Sequence, residues 1–176
     1  MVFSNNLKSN NWKFLFWIIS ILLIVTADQL TKLLILKWIP IYEKISINAF
    51  INITHHKNAG AAFSFLADAG GWQRWFLILV SLIVIVIIFL WLWQIRHKKQ
   101  NVLIAGLILV VGGAIGNLID RILSGHVIDF IQVLFGSWAF PTFNIADACI
   151  SVGAALLIID SLFLSDKENL SIFKID

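Results

Sequence analysis

The sequence predicts an all-α integral membrane protein. It should have four transmembrane helices, a small extracytoplasmic cap containing β-strand, and an interfacial segment between helices three and four. Three observations predict this. The 176-residue chain is 60% hydrophobic and 13% charged, against roughly 45–50% and about 25% in an average soluble domain. Four stretches approach or exceed the roughly 20 mainly apolar residues that cross a bilayer. The chain also carries 8 Trp and 14 Phe, and aromatic side chains collect at bilayer interfaces.

Span one covers Lys13–Leu36. It opens with Lys8 and Lys13 ahead of the apolar run Phe14–Ala27, which resembles the first two regions of a signal peptide. The run continues through Asp28 to Leu36 with no small-x-small cleavage site, so it reads as an uncleaved span. Span two, Trp72–Gln94, and span four, Asn144–Leu164, are nearly uninterrupted. Span three, Val102–Ile119, turns polar towards its end. Backbone groups in lipid must bond within their own segment, so each span is a helix. The whole chain reads as one membrane domain.

The connections differ in character. Spans two and three are joined by Ile95–Asn101, short and basic, which places that loop in the cytoplasm. Both termini then lie inside as well. The total Lys and Arg count is nearly balanced between the two sides, so the orientation rests on this one loop. Residues 37–71 lie outside, and within them Ser46–Thr54 alternates polar and apolar residues, the period of one or two short strands. Residues 121–143 carry Trp138 and Pro141 and are expected to lie in the membrane interface.

With this topology the polar residues of the spans converge at one depth. Asp28 and Lys32 lie towards the outer end of span one, and Asn117, Asp120 and Arg121 at that of span three. Asp129 follows in the outer connection, Asn144 and Asp147 open span four, and Asn58 lies in the outer segment. Ionisable groups in spans are costly and face the protein interior or water. Asp28 and Lys32 are one helical turn apart and read as a self-neutralising pair, with Lys32 also able to snorkel to headgroups. Adjacent residues on a helix do not face each other, so Asp120 and Arg121 need separate partners; for Arg121 these include a lipid phosphate or a peptide carbonyl. Gly112 and Gly116 have the small-xxx-small spacing that lets helices approach closely.

Asp129 is a lone charge in Val127–Ile131, and Asp147 sits one turn into an apolar helix. Each alone reads as a helix-end charge favoured by the helix dipole. Together they read as a carboxylate dyad that shares a proton and activates water. Asn144 either caps span four or orients the dyad.

Other chemistries find less support. The adjacent His55 and His56 are poorly spaced as ligands and no HExxH is present, so a metal is not expected. No Ser lies in a Gly-x-Ser-x-Gly context. The single Cys149 lies in an apolar run and reads as a small buried hydrophobe. Scattered positive charge gives no nucleic-acid footprint.

Five segments resemble bacterial lipoprotein signal peptidase, also called signal peptidase II or prolipoprotein signal peptidase. They are Asp28-Gln29-Leu30-Thr31-Lys32, Asn58 through Phe63, Gly112 through Arg121, Val127 through Phe130, and Phe143 through Asp147. They stand in the family's order from span one to span four. The resemblance implies a hydrolase of the bacterial inner membrane, an aspartyl protease with its site on the outer side. It would cut the signal peptide from diacylglyceryl-modified prolipoproteins just before the lipidated cysteine. Its partners would be that substrate and membrane lipids, with the chain monomeric. By position, Asp129 and Asp147 match the family's catalytic pair. Asn117 and Asn144 match supporting residues, Asn58 and Arg121 substrate contacts, and Asp28, Lys32 and Asp120 residues that hold the site together. The segment around Asn58 could close as a lid.

Two other functions fit a membrane protein. A transporter or channel would line a path with its Asp, Lys and Arg, but here the polar groups stay at one face. A structural subunit with a lipid pocket would need no chemistry.

Overall fold

The structure is a computed structural model that describes residues 3–60 and 70–164. Residues 61–69, which include Ala61-Ala62-Phe63 of the second motif and part of the segment around Asn58 expected as a lid, lie outside the described residues. In chain order come helix α1 (Phe3–Trp38), strands β1 (Lys44–Ser46) and β2 (Ile51–Asn58), and helices α2 (Trp72–Ile95) and α3 (Asn101–Ser124). Strands β3 (Val127–Phe135) and β4 (Trp138–Ala139) and helix α4 (Ile145–Ile159) follow, α4 running on into a π-helical turn at Asp160–Leu164. Among the described residues, four helices are long and apolar enough to cross a membrane, within Trp12–Trp38, Trp72–Ile95, Asn101–Ser124 and Ile145–Leu164.

Helix α3 is central. Buried residues make up 67% of its most apolar stretch, against 11–17% for the other three. The outer helices therefore expose most of their apolar surface, such as Leu22, Leu33, Leu79, Leu90 and Phe163, as lipid-facing helices do. Leu107 and Val111 of α3 are fully enclosed, with Trp17 and Ile21 of α1 and Ile88 and Leu92 of α2 packed around them. The small residues of α3 serve two neighbours at once. A methyl at Gly112 would meet Ile24 of α1 at 2.8 Å, whereas Gly113 lies against Ala146 of α4. In lipid there is little hydrophobic drive between helices, so close packing of this kind holds them together.

The strands form one antiparallel sheet in the order β1-β2-β3-β4. Here the structure adds to the sequence reading. Residues 121–143, expected only as an interfacial segment, supply half of the sheet. Asp129, expected in a loop, lies within a strand. The physical reason is burial on both faces. Val127, Ile128, Asp129 and Phe130 are all buried, so the strand has no polar–apolar alternation to betray it. Its residues Ile128 and Phe130 pack with Ile35 and Ile39 at the end of α1, which seats the sheet on the bundle.

Helix α3 also runs further than expected, to Ser124, where Gly125 takes the left-handed conformation (φ 79°) that ends it. Arg74, in the first turn of α2, caps the same terminus. Its Nε donates to the Arg121 carbonyl at 2.9 Å and its Nη2 to the Ile122 carbonyl at 2.8 Å. Replacing Arg74 with Ala strips two carbonyls of a charged donor, at about 1–3 kcal/mol. The expected result is a melting temperature several degrees lower in detergent; an unchanged melt would mean that other donors already satisfy this end.

Candidate active site

Asp129 is placed by strand register. It stands opposite His56, and Asn58 pairs with Val127 two positions along. Asn58 Nδ2 donates to Asp129 Oδ2 at 3.0 Å. Asp147 is placed by a helix start. Asn144 is the N-cap of α4, its Oδ1 accepting from the Asp147 backbone N–H at 2.8 Å. Asp147 Oδ2 accepts in return from the Asn144 N–H at 3.2 Å, closing a capping box. Of the two roles the sequence left open for Asn144, the capping role is therefore present. So is the contact that orients both acids, since Asn144 Nδ2 reaches across to Asp129 Oδ1 at 2.8 Å. One fully buried residue thus touches both carboxylates, Asp129 through its side-chain amide and Asp147 through its backbone N–H.

Asn117 of α3 completes the link. Its Nδ2 donates to Asp147 Oδ1 at 2.7 Å. Its Oδ1 accepts from Lys32 Nζ at 3.0 Å and from Asn144 Nδ2 at 3.2 Å. Lys32 is buried and also pairs with Asp28 and Asp120, each at 2.8 Å. The expected Asp28–Lys32 pair is therefore present, but as part of a larger cluster. Asp28 Oδ1 accepts from the Ala146 N–H at 2.9 Å, tying α1 to the start of α4. Asp120 Oδ2 accepts from the Ile128 N–H at 3.3 Å, tying α3 to β3.

Arg121 finds a peptide carbonyl, one of the two kinds of partner the sequence offered. Its Nη2 donates to the Gly60 carbonyl at 2.9 Å. Its Nε is buried with no partner among the described residues. Gln29 was given no role in the sequence reading, although it lies inside the first motif. Its Nε2 bonds Asp120 Oδ1 at 2.9 Å, the Gly116 carbonyl at 3.1 Å and Asp28 Oδ2 at 3.2 Å. A neutral polar residue flanked by Asp28 and Lys32 in an apolar span was the available signal. Arg74 was also missed; a cation at the outer start of span two was its signal.

The two acids share a cavity of about 590 Å3, lined also by Asn58, Asn117 and Arg121 and walled by apolar residues of α2, α3 and α4 such as Leu77, Val84, Val110 and Val152. Burial raises Asp129 from the usual carboxylate range to about 7, and the nearby Asp147 pushes the same way. The amides of Asn58 and Asn144 pull it down more weakly.

This arrangement can be set beside known proteins. The family described as signal peptidase (SPase) II matches residues 20–163. The chain belongs to the signal peptidase II family. It is 40% identical over 158 residues to the lipoprotein signal peptidase of Photorhabdus laumondii, covering 89% of this chain and 93% of that one. To that of Shewanella halifaxensis it is 45% identical over 161 residues, covering 90% and 94%. The fold superposes on a bacterial membrane enzyme solved by the in meso method at 2.3 Å, with TM-score 0.73, 32% identity, and 88% and 90% of the two chains covered. The chain is thus a bacterial multi-pass membrane peptidase by family. Its polar cluster must be reconciled with a membrane setting. The sheet and the strand-side ends of the helices do this, gathering the cluster at one end of the bundle. Beside the main cavity lies a second, polar one of about 310 Å3, which shares Asn58 and Asp129 and adds His56, Lys57 and Gln132. Among the described residues, no three His, Cys, Asp or Glu side chains group as metal ligands.

Proposed function

We propose that this chain is an aspartic endopeptidase that removes the signal peptide from diacylglyceryl-modified prolipoproteins, cutting just before the lipidated cysteine. The observation that carries the reading is Asn144, whose side-chain amide contacts the Asp129 carboxylate and whose backbone N–H contacts that of Asp147, with both acids lining one cavity. Two buried carboxylates so coupled hold one proton between them more readily than two charges. The ionised acid takes a proton from water as the water attacks the scissile carbonyl. The protonated acid gives its proton to the carbonyl oxygen, forming a tetrahedral diol. Collapse of the diol breaks the C–N bond: one hydroxyl returns its proton to the ionised acid as the carbonyl re-forms, and the departing amine takes the proton held by the other acid. The chemistry calls for no metal or organic cofactor.

The two cavities support the choice of substrate. An apolar cavity between helices suits acyl chains and the apolar signal segment. The polar cavity on the strand side suits the chain that continues past the cysteine. Their shared wall contains Asp129 and Asn58, so the bond to be cut would lie where polarity changes. The basic loop Arg96–Gln100 lies at the end of the bundle away from the sheet, which supports both termini inside and the site outside.

The test is lipid dependence. Purified protein in detergent is given a prolipoprotein with and without the diacylglyceryl group, and products are read by mass spectrometry. One cut before the cysteine, in the lipidated form alone, is expected. Equal cutting of both forms, or of neither, would sink the proposal.

A further inference from the structure

We infer that Lys32 is a positioning residue for this reaction: it decides which end of the Asn117 side-chain amide faces Asp147. The inference deepens the dyad reading and rests on it. An ammonium group only donates hydrogen bonds, and it has three protons to give. Lys32 Nζ has three acceptors in reach: Asp28 Oδ2 and Asp120 Oδ2 at 2.8 Å, and Asn117 Oδ1 at 3.0 Å. The oxygen of Asn117 must therefore point at Lys32, where Asn144 Nδ2 also donates to it at 3.2 Å. Only then is Asn117 Nδ2 free to donate to Asp147 Oδ1, at 2.7 Å.

Turning the amide over would reverse every one of these contacts. Its NH2 would face an ammonium and another NH2, and its oxygen would face a carboxylate. Asp147 would then need a proton on that oxygen, and a protonated acid cannot take one from water. Lys32 is not among the residues lining the cavity and is only 2% exposed. It acts through Asn117 and does not touch the reacting groups. The other partners of Lys32 fix its place. Gln29 Nε2 bridges Asp28 and Asp120, and Asp28 comes so close to Gly116 that a methyl there would lie 2.6 Å from its Oδ2. Three helices are thus linked through one ammonium group: α1 supplies it, α3 the amide it contacts, and α4 the acid that the amide serves.

A purely structural Lys32 would only neutralise Asp28 and Asp120. The two roles differ in a mutant cycle on turnover. Lys32→Met, Asn117→Ala and the double variant are assayed on the lipidated prolipoprotein, with kcat and KM measured separately. Lys32→Met alone is expected to lower kcat about tenfold or more with KM within about threefold. In the Asn117→Ala background it is expected to lower kcat less than about threefold, because the amide it orients is gone. Losses that multiply in the double variant, or a folded Lys32→Met with normal kcat, would overturn the inference. Lys32→Met leaves two carboxylates without their cation, so Lys32→Met/Asp120→Asn is run through the same cycle as a charge-balanced version and is read by the same criteria. Wild-type protein that cuts no lipidated prolipoprotein would overturn the dyad reading and this inference with it. Cleavage by wild type without the coupling overturns the inference alone.

Discussion

Asn in place of Asp129 is expected to abolish prolipoprotein cleavage, with a loss on the order of a thousandfold or more, because the amide can neither take nor give the proton. Asp147→Asn should do the same. The two variants should differ in stability. Burial raises Asp129 from an ordinary value of 3.8 to about 7, so the folded protein binds its proton more tightly than the unfolded chain. Stability from this group is therefore greatest below about 4, declines as pH rises towards 7, and is fully lost above that. An Asn at 129 lacks the cost of burying the charge. Relative to wild type, Asp129→Asn should gain several degrees of melting temperature between pH 5 and pH 8. Asp147→Asn should gain no such stability, because Asp147 belongs to the capping box of α4 and favours the positive end of the helix dipole. Residual cleavage near wild type in either variant would remove the dyad from the mechanism. A pH-independent difference for Asp129→Asn would mean that its carboxylate is not held above its ordinary range.

A side chain at Gly113 should have the next largest effect. Even a Cβ there would press on the Ala146 carbonyl and lie 2.7 Å from Ile150 Cγ1. The first of these is backbone, so α4 itself must shift. Ala146 adjoins Asp147 and donates its N–H to Asp28, so the shift carries the acid away from Asn117. Displacements near 1 Å can cost about a hundredfold in rate. Gly113→Val should therefore lose most activity and a few kcal/mol of stability. Ala105→Val, on the exposed side of the same helix, should change neither. Near-normal activity in Gly113→Val would show that α4 can move without breaking the pair.

Much of the site could be read from residue order alone. Asp28, Lys32, Asn117, Asp120 and Arg121 announced themselves because charges and amides inside apolar helices are costly and need a reason to be there. Asn144 and Asp147 were legible as a helix start, since a cap works through residues three apart. The partners of Arg121 and Gln29 were not legible, because each reaches an element distant in sequence. Gln29 drew no attention because a neutral amide costs less in lipid than a charge. β3 was hidden because a strand buried on both faces loses its alternation.

The sequence by itself determined the four spans, the gathering of polar residues at one end of them, and the family motifs that carry Asp129 and Asp147. These are properties of composition, of local period and of order, which need no distant partner. The tertiary structure alone decided that the two acids line one cavity and share Asn144 as a partner. Asp129 arrives on a strand held by pairing with β2, more than seventy residues earlier. Asp147 arrives on a helix drawn against the bare glycine face of α3. Only the packed fold brings those two placements to a common residue, Asn144, because hydrogen-bond geometry between distant segments is fixed by packing and leaves no period in the chain.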